Sequence, residues 1–240
     1  MRTALFVTCL VDQLFPGVGE AAVDLLERCG RTVEFPEAQT CCGQPAFNMG
    51  YGDEARRLGR RMLEIFEPFD EVVTPSGSCA SMVRVHLPEL FEHDDLWRSR
   101  AQQLANKTFE LTELLIREGF SPETASFEAK VTYHPSCHLL RELRASPESL
   151  LDRVPGLERV ALPDAEVCCG FGGAFSAKMP ELSGAMLNDK LNAVEASGAE
   201  VLTATDCGCL MHLGGALARR NSSLRVLHVA EILASSKQGE

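Results

Sequence analysis

Long apolar runs and an excess of basic residues are both missing from this chain of 240 residues. No stretch approaches the roughly 20 apolar residues of a membrane-spanning helix. The mildly apolar N-terminus has no small-residue cleavage site after a polar region, so we expect a cytoplasmic protein without a membrane span. The formal net charge of −11 argues against nucleic acid as a partner, because its binding depends on clustered Lys and Arg. It also disfavours direct binding to an anionic membrane surface.

The usual signatures of catalysis by a single chain are missing as well. The sequence has no HExxH or GxSxG motif and no flavin fingerprint, and the glycine-rich stretch that begins at Gly170 lacks the spacing of nucleotide-binding loops. The closely spaced C-x₂-C-x₂-C-x₃-C run of ordinary ferredoxins is also absent. With no hydride acceptor in view, we do not expect this chain to oxidise a substrate alone.

Cysteine, by contrast, is abundant, with ten residues in a chain large enough to bury a core without disulfides. In a chain without a secretory signal, such a count indicates metal, cluster or redox chemistry. Eight of the ten form two sets with one pattern: a single Cys, an adjacent Cys-Cys-Gly and a further Cys. The first set is Cys9, Cys41, Cys42 and Cys79, and the second is Cys137, Cys168, Cys169 and Cys209.

The spacing of the two sets indicates an internal repeat. Corresponding cysteines lie 128, 127 and 130 residues apart, which is a nearly constant offset across three separate elements. We therefore expect two domains, 1–122 and 123–240, divided at the Ser-Pro of residues 121–122. The C-terminal LRVLHVAEIL resembles KTFELTELL near the end of the first half, so the repeat extends past the cysteines.

Alternating strand and helix patterns predict an α/β fold. In the first half, short apolar or alternating runs end at Cys9, Pro36 and Pro75, and amphipathic helices are predicted over 19–28 and 52–66. The second half follows the same order, with a long helix predicted over 176–197. We expect three strands per half and a polar helical stretch over 88–119. Such alternation predicts two tandem, pseudo-symmetric Rossmann-like repeats, each with a parallel sheet.

The cysteines then fall at the ends of strands. In each repeat one Cys follows the first strand, the Cys-Cys-Gly turn follows the second, and the last Cys follows the third. In an open parallel sheet all three positions meet at the carboxyl edge, where ligand sites collect. Two consecutive thiols can face one cofactor only if the backbone turns sharply, which Gly43 and Gly170 permit. We therefore expect one Cys site at the carboxyl edge of each repeat.

Four thiolates per repeat match the ligand count of one iron–sulfur cluster or one structural zinc ion. Structural zinc sites mostly use two short C-x₂₋₄-C pairs, whereas 31 and 36 residues separate the cysteines of the first set. Adjacent cysteines also suit the separate metal atoms of a cluster better than one tetrahedral ion. The spacing favours a cluster and leaves zinc as the less favoured alternative.

The stretches around these cysteines resemble a known family over essentially the full chain. The stretches are TCLVDQLFPGVGEAAVDLLERCG, PEAQTCCGQPAFNMGY, PSGSCASMV, YHPSCHLLREL, EVCCGFGGAFSAKMPELS and TDCGCLMHLGG. They resemble the cysteine-rich CCG domain, which occurs in heterodisulfide reductase and in the iron–sulfur subunits of glycolate oxidase and anaerobic glycerol-3-phosphate dehydrogenase. The resemblance is greatest to the lactate utilisation protein A family.

This resemblance implies an iron–sulfur component that transfers electrons in a three-protein system oxidising L-lactate to pyruvate. It implies that the eight cysteines of the two sets are the cluster ligands. The partners it implies are two other lactate utilisation proteins, one of them with ferredoxin-like clusters. Two other functions stay open: a thiol–disulfide enzyme akin to heterodisulfide reductase, and a structural zinc-binding module.

The sequence departs from the fullest CCG pattern, which ends in C-x-x-C. Ser76 and Asp206 stand where that pattern has the first Cys of the pair, so each set has four cysteines instead of five. Four ligands in each set fit one 4Fe–4S cubane per set, two in all, better than the non-cubane clusters of heterodisulfide reductase. Cys207 is interpreted as a packed thiol, with a spare ligand or resolving thiol as the alternative.

The remaining candidates are one cysteine and three histidines. Cys29 ends an amphipathic helix and is interpreted as a half-buried apolar residue. His138 and His212 follow site cysteines closely, and each is a candidate hydrogen-bond donor to a cluster sulfur. His134 precedes Pro135 and is expected to shape its loop.

Overall fold

The computed structural model describes residues 1–236, which alternate between strands and helices. The strands are β1 (Arg2–Leu5), β2 (Thr32–Glu34), β3 (Glu71–Thr74), β4 (Thr108–Glu110), β5 (Ala129–Tyr133), β6 (Leu157–Val160), β7 (Val201–Ala204) and β8 (Arg225–His228). The α-helices of the first half are α1 (Cys9–Leu14), α2 (Pro16–Arg28), α3 (Gln44–Asn48), α4 (Gly52–Phe66), α5 (Gly77–Ser81), α6 (Leu87–Leu90), α7 (Asp95–Asn106) and α8 (Leu111–Arg117). Those of the second half are α9 (Glu148–Leu151), α10 (Ala174–Lys178), α11 (Pro180–Ala196), α12 (Cys207–Arg219) and α13 (Val229–Ala234). Short π-helical turns span Met82–His86 and Leu139–Leu143, and a 3₁₀ turn spans Pro122–Thr124.

The strands form two parallel sheets with the same topology. The first has the order β2-β1-β3-β4 and the second β6-β5-β7-β8. In both, the first strand of the repeat lies between the second and the third, so the chain reverses direction across the sheet at that point. The predicted α/β fold of two pseudo-symmetric Rossmann-like repeats is confirmed.

Each sheet has four strands, so the expectation of three was wrong. In the first repeat, β4 interrupts the polar helical stretch expected over 88–119. Its residues Thr108, Phe109 and Glu110 pair in parallel with β3, and two of the three side chains are buried. Pairing with a buried neighbouring strand outweighs the local helical pattern, because β propensity depends on tertiary context.

Two predicted boundaries also shift for local reasons. β1 ends at Leu5 instead of Cys9, because the side-chain amide of Gln39 hydrogen-bonds to the Leu5 carbonyl and the Val7 N–H. Cys9 begins α1 instead. The helix predicted over 176–197 is divided at Met179, which precedes Pro180 and is therefore driven out of helical geometry.

One hydrophobic core joins the two repeats. It includes Val11, Leu25, Leu26, Val73, Leu111 and Leu114 from the first repeat and Val131, Leu150, Leu151, Val201, Val229 and Ile232 from the second. The C-terminal helix α13 packs against α2, and Arg28 donates a hydrogen bond to the Ala234 carbonyl at 3.3 Å. Each sheet lies within one of the halves 1–122 and 123–240, and their division into separate domains stays a prediction.

The other face of each sheet has a core of its own. In the first repeat it is built around Phe6, Phe66 and Phe91, and in the second around Leu191, Leu202 and Leu213. Each sheet is thus covered on both faces, as a parallel sheet requires. Within residues 1–236 the helices are too short or too polar to cross a membrane.

Candidate metal centre

The carboxyl edges of the two sheets face each other across one cavity. Its volume is about 240 Å³. All eight predicted cysteines line it: Cys9, Cys41, Cys42, Cys79, Cys137, Cys168, Cys169 and Cys209. Two sites expected at separate sheet edges therefore share one space between the repeats. The spacing of the cysteines predicted one site in each repeat. It did not predict that the two sites would face each other.

In the first repeat the four thiols form a row, called here row 1. Cys9 is the exposed first residue of α1, and Cys79 lies in the first turn of α5. Between them, Cys41 contacts the thiols of Cys9 and Cys42, and Cys42 contacts Cys79. Row 1 therefore runs along the cavity from the exposed Cys9 to the half-buried Cys79, with Cys42 its most buried member.

The second repeat builds a matching row, called row 2. Cys168 contacts the thiols of Cys137 and Cys169, and Cys169 Sγ donates to Cys209 Sγ at 3.2 Å. Cys169 is buried, as is Cys42 at the same place in row 1. The second cysteine of each adjacent pair thus points inward, while the first is half-buried.

The glycine after each pair makes the predicted turn. Gly43 has φ 90° and Gly170 has φ 85°, values that other L-residues rarely adopt. The N–H of Gly170 points back to the thiol of Cys168, with N and Sγ 3.4 Å apart. These turns allow two consecutive cysteines to join one row.

The first cysteine of each adjacent pair has a lowered pKa. Hydrogen bonds from the thiols of Cys42 and Cys9, together with the Gly43 N–H, lower the pKa of Cys41 to about 3. Cys137 and Cys169 likewise lower the pKa of Cys168. Soft metal ions bind thiolates and not thiols, so each row has a ligand ready to bind metal. In row 2 a hydrogen bond from the Cys169 thiol also lowers the pKa of Cys209, to about 6. Metal binding would displace the protons that the remaining thiols carry.

The two residues that replace cysteines of the fullest pattern are hydrogen-bonded to each other across the repeats. Asp206 Oδ1 accepts from Ser76 Oγ at 2.9 Å and from Ser78 Oγ at 2.6 Å. The backbone N–H of Ser78 donates to the same oxygen at 3.1 Å. The hydrogen bond between Ser76 and Asp206 therefore links the two repeats. It lies at the positions where the fullest pattern has a fifth cysteine in each repeat.

A cation fixes the loop before each Cys-Cys pair. In the first repeat the exposed Arg61 donates to the Ala38 carbonyl at 3.1 and 3.3 Å. In the second, Lys190 is only 1% exposed and donates to the carbonyls of Asp164 and Ala165 at 2.6 and 3.1 Å. Burial lowers the pKa of Lys190. In both repeats a basic side chain on a helix therefore hydrogen-bonds to loop carbonyls just before the Cys-Cys pair. Arg61 lies on α4 and Lys190 on α11.

Sequence reasoning missed His134. It was expected to shape a loop, but its fully buried ring lies beside row 2, with a ring nitrogen within 4.8 Å of the sulfurs of Cys169 and Cys209. The available signal was its position immediately after β5, at the carboxyl edge. His138 and His212 place Nε2 at 3.2 Å from Gln44 Nε2 and 3.4 Å from Ser183 Oγ, and their role as hydrogen-bond donors to a cluster sulfur stays a prediction.

The two cysteines outside the pattern lie in different places. Cys207 is the buried first residue of α12, lines the cavity and belongs to the shared core, and burial raises its pKa. Cys29 is half-buried against the shared core at the end of α2. Burial also raises the pKa of Cys29. The packing interpretation of Cys29 agrees with this position.

The four sulfurs of each row are spread more widely than the ligands of one zinc ion. Four sulfurs at about 2.3 Å from one zinc would lie about 3.8 Å from each other. Among residues 1–236, the group of three potential ligand atoms that lies within 4.8 Å of one another is His134, Cys169 and Cys209. The four thiols of neither row converge that closely. Soft thiol donors gathered on one cavity indicate a metal or iron–sulfur site.

Comparison with known families agrees with the repeat. The family described as CCG, cysteine-rich domain, matches this chain twice, at residues 3–84 and 131–214. The two matches contain all the cysteines of rows 1 and 2. The internal repeat is therefore two copies of one domain type.

Curated relatives match over nearly the whole chain. A protein of Bacillus subtilis (strain 168) named Lactate utilization protein A is 48% identical over 238 residues, which covers 98% of this chain and 100% of the relative. The protein of the same name from Shouchella clausii is 47% identical, covering 99% and 100%. Both are similar to this chain from end to end.

A solved structure shares the fold. A hypothetical protein from Helicobacter pylori superposes with a TM-score of 0.69 over 100% of this chain, at 10% sequence identity. This chain spans 49% of that protein's chain. At such low identity the likeness supports the fold alone.

Proposed function

The chain belongs to the lactate utilization protein A family of CCG cysteine-rich domain proteins, and from that membership we propose that it carries electrons in lactate utilisation. In this proposal it is the iron–sulfur component of a complex that oxidises L-lactate to pyruvate. The observation that carries the proposal is the pair of four-thiol rows facing one cavity. The eight row cysteines are the proposed ligands.

The proposed cofactors are two 4Fe–4S clusters, one on each row. When bound, such clusters supply one-electron transfer. The residues of this chain would hold them: Cys41 and Cys168 offer thiolates, and the Gly43 and Gly170 turns aim each adjacent pair at one row. Placing both rows on one cavity would keep the electron path between them short.

The chemistry of the substrate is assigned to a partner. Oxidation of L-lactate to pyruvate releases two electrons and two protons, and this chain shows no motif for accepting a hydride. The proposed partners are two other lactate utilisation proteins. One binds L-lactate and donates the electrons singly while its protons go to solvent, and a ferredoxin-like iron–sulfur protein takes the electrons onward. A cytoplasmic location stays a prediction.

A thiol–disulfide oxidoreductase is the second candidate. It is favoured by the low pKa of Cys41, about 3, on the wall of a cavity that also contains Cys79 and Cys207. A low-pKa thiolate exposed to a cavity is the arrangement of reactive cysteines. In that case the chain alone would reduce a small disulfide in the presence of a dithiol.

The test is the iron, sulfide and zinc content of anaerobically prepared protein, with its visible absorbance. We expect about eight iron and eight sulfide per chain, and colour that dithionite bleaches. A Cys41→Ser/Cys42→Ser variant should keep about half of the iron. A Cys29→Ser variant is the matched control and should keep all of it, because Cys29 is not among the residues that line the cavity.

Other outcomes separate the alternatives. Stoichiometric zinc without colour would overturn the electron-carrier proposal and support a structural zinc module. Protein without metal that reduces a small disulfide would support the second candidate. Iron at the expected content, with no disulfide reduction by the isolated chain, would favour electron transfer over it.

A further inference from the structure

His134 is a buried polar side chain with no conventional partner among the described residues. Its ring is 0% exposed, and neither Nδ1 nor Nε2 makes a hydrogen bond of ordinary geometry to nitrogen or oxygen. A buried polar group without a partner destabilises the fold, so such groups usually have one. The nearest groups of suitable chemistry are the sulfurs of Cys169 and Cys209, within 4.8 Å.

The first repeat has no such group at the same place. Phe6 follows β1 as His134 follows β5, and each donates its backbone N–H to the third strand of its sheet at 2.8 Å, Phe6 to Val73 and His134 to Thr203. Phe6 is buried too, and its ring packs edge-on against Phe66 with centroids 5.4 Å apart. One structural position therefore carries an apolar ring beside row 1 and an imidazole beside row 2.

A neutral imidazole has one N–H donor and one bare nitrogen. If the N–H points to Cys209 Sγ, only an acceptor is left without a partner, which proteins tolerate better than an orphaned donor. If instead the near nitrogen bound a metal atom, the N–H would lie on the far side of the ring. Metal-binding histidines almost always have a partner for that N–H, and His134 has none among residues 1–236.

We propose that His134 is a positioning residue that donates an N–H hydrogen bond to Cys209 Sγ when row 2 holds its cluster, and that this bond makes the row 2 centre easier to reduce. The inference rests on the proposed function. Hydrogen bonds to the sulfurs of an iron–sulfur centre are one determinant of its potential, because they stabilise the more negative reduced state. Row 1 has Phe6 in this place and lacks that stabilisation. Electrons entering at row 1 would then move toward row 2.

The test is a reductive titration of both centres in the anaerobic, iron-loaded full chain. His134→Phe installs the residue of the first repeat, and His134→Gln keeps an N–H donor at the same place. With His134→Phe we expect unchanged iron content, and one midpoint potential shifted to a more negative value while the other stays fixed. His134→Gln should shift that potential less. Phe6→Leu is the matched control in the other repeat and should shift neither.

Magnetic resonance on the reduced protein labelled with ¹⁵N-histidine separates donation from ligation. A weakly coupled nitrogen that His134→Phe removes supports the proposal, whereas a strongly coupled nitrogen would show that His134 is a ligand and would overturn it. Unchanged potentials in iron-loaded His134→Phe protein would overturn this inference and leave the proposed function standing. A wild-type chain without iron would overturn both.

Discussion

The two repeats place their cysteines on the same strand ends but support them to different degrees. In row 2 the loop before Cys168 is held by the buried Lys190, and an imidazole lies against the sulfurs. In row 1 the corresponding cation is the exposed Arg61, and the corresponding ring is Phe6. The first repeat also holds Thr8 at φ 73°, a conformation that non-glycine residues rarely adopt, next to the exposed Cys9.

Comparing the two repeats shows which features both cysteine rows share and which occur in one repeat only. Both rows need a strand end, a glycine turn and a thiolate, and these features are common to the two. The polar groups around row 2 are additions that fix its geometry and alter its electrostatics. Row 1 is the more exposed at Cys9, which under the proposed function would suit exchange of electrons with a partner. Substitutions at matching positions of the two repeats test how strongly the surrounding residues stabilise each row.

The largest expected difference concerns the two glycine turns. A Cβ on Gly170 would lie 2.7 Å from the Ser183 carbonyl oxygen, whereas a Cβ on Gly43 would have no atom nearer than 3.6 Å. Because both positions have positive φ, Gly43→Ala should cost about 1–2 kcal/mol of unfolding free energy through backbone strain. Gly170→Ala adds a backbone clash and should cost about 3–5 kcal/mol. Urea unfolding of anaerobic protein measures both.

The iron content of the two glycine variants gives a second comparison of the rows. Gly170→Ala should lose about half of the iron, because row 2 cannot keep its turn, while Gly43→Ala should keep most of it. Equal losses in the two variants would contradict the difference in support. A loss of iron in Gly43→Ala alone would show that row 1, and not row 2, depends more strongly on its glycine turn.

The loop cations give an effect of intermediate size. Lys190→Met removes two hydrogen bonds and leaves the carbonyls of Asp164 and Ala165 without their donor, so we expect a loss of about 2–3 kcal/mol. Arg61→Met removes an exposed group whose carbonyl partner is accessible to water, so its cost should stay under about 0.5 kcal/mol. Thermal or urea unfolding under identical buffer conditions checks the pair. Similar costs would mean that burial of Lys190 does not strengthen its support of row 2.

The sequence predicted the cysteine rows because they follow from local rules. A thiol after a strand and a glycine after a Cys-Cys pair depend on neighbouring residues, so Gly43 and Gly170 could be assigned their turns in advance. Whether two sheet edges face each other depends on packing between the repeats, which no local pattern encodes. The fourth strands were missed for a related reason: residues 108–110 become a strand only by pairing with β3.

His134 is a single side chain whose surroundings local sequence patterns likewise could not predict. Its neighbour Pro135 gave a plausible local role, and its contact with row 2 depends on Cys169 and Cys209, which lie 35 and 75 residues away in the chain. A comparison of the repeats position by position would have set it against Phe6. That comparison needs the strand register, which the structure supplies.

The smallest expected effect is a pH dependence that is opposite in the two repeats. Glu110 and His228 are the last residues of β4 and β8, and each caps the helix that follows through a capping box. Burial raises the pKa of Glu110 to about 8 and lowers the pKa of His228 to about 4. The ordinary values are 4.5 and 6.5.

The signs follow from which state binds more protons. Folded Glu110 keeps a proton that the unfolded chain releases, so its contribution is full below pH 4.5 and is lost as the pH rises through 8. Folded His228 resists a proton that the unfolded chain takes up, so its contribution is full above pH 6.5 and is lost as the pH falls through 4. Glu110→Gln should therefore flatten the alkaline limb of the stability curve, and His228→Asn the acid limb. Each change should be about 1–2 kcal/mol over two pH units, after allowance for partial solvation of the buried groups. Unfolding midpoints from pH 5 to 9 measure both limbs, and a single variant that flattened both would show that the two caps titrate together and not as independent ends of the two repeats.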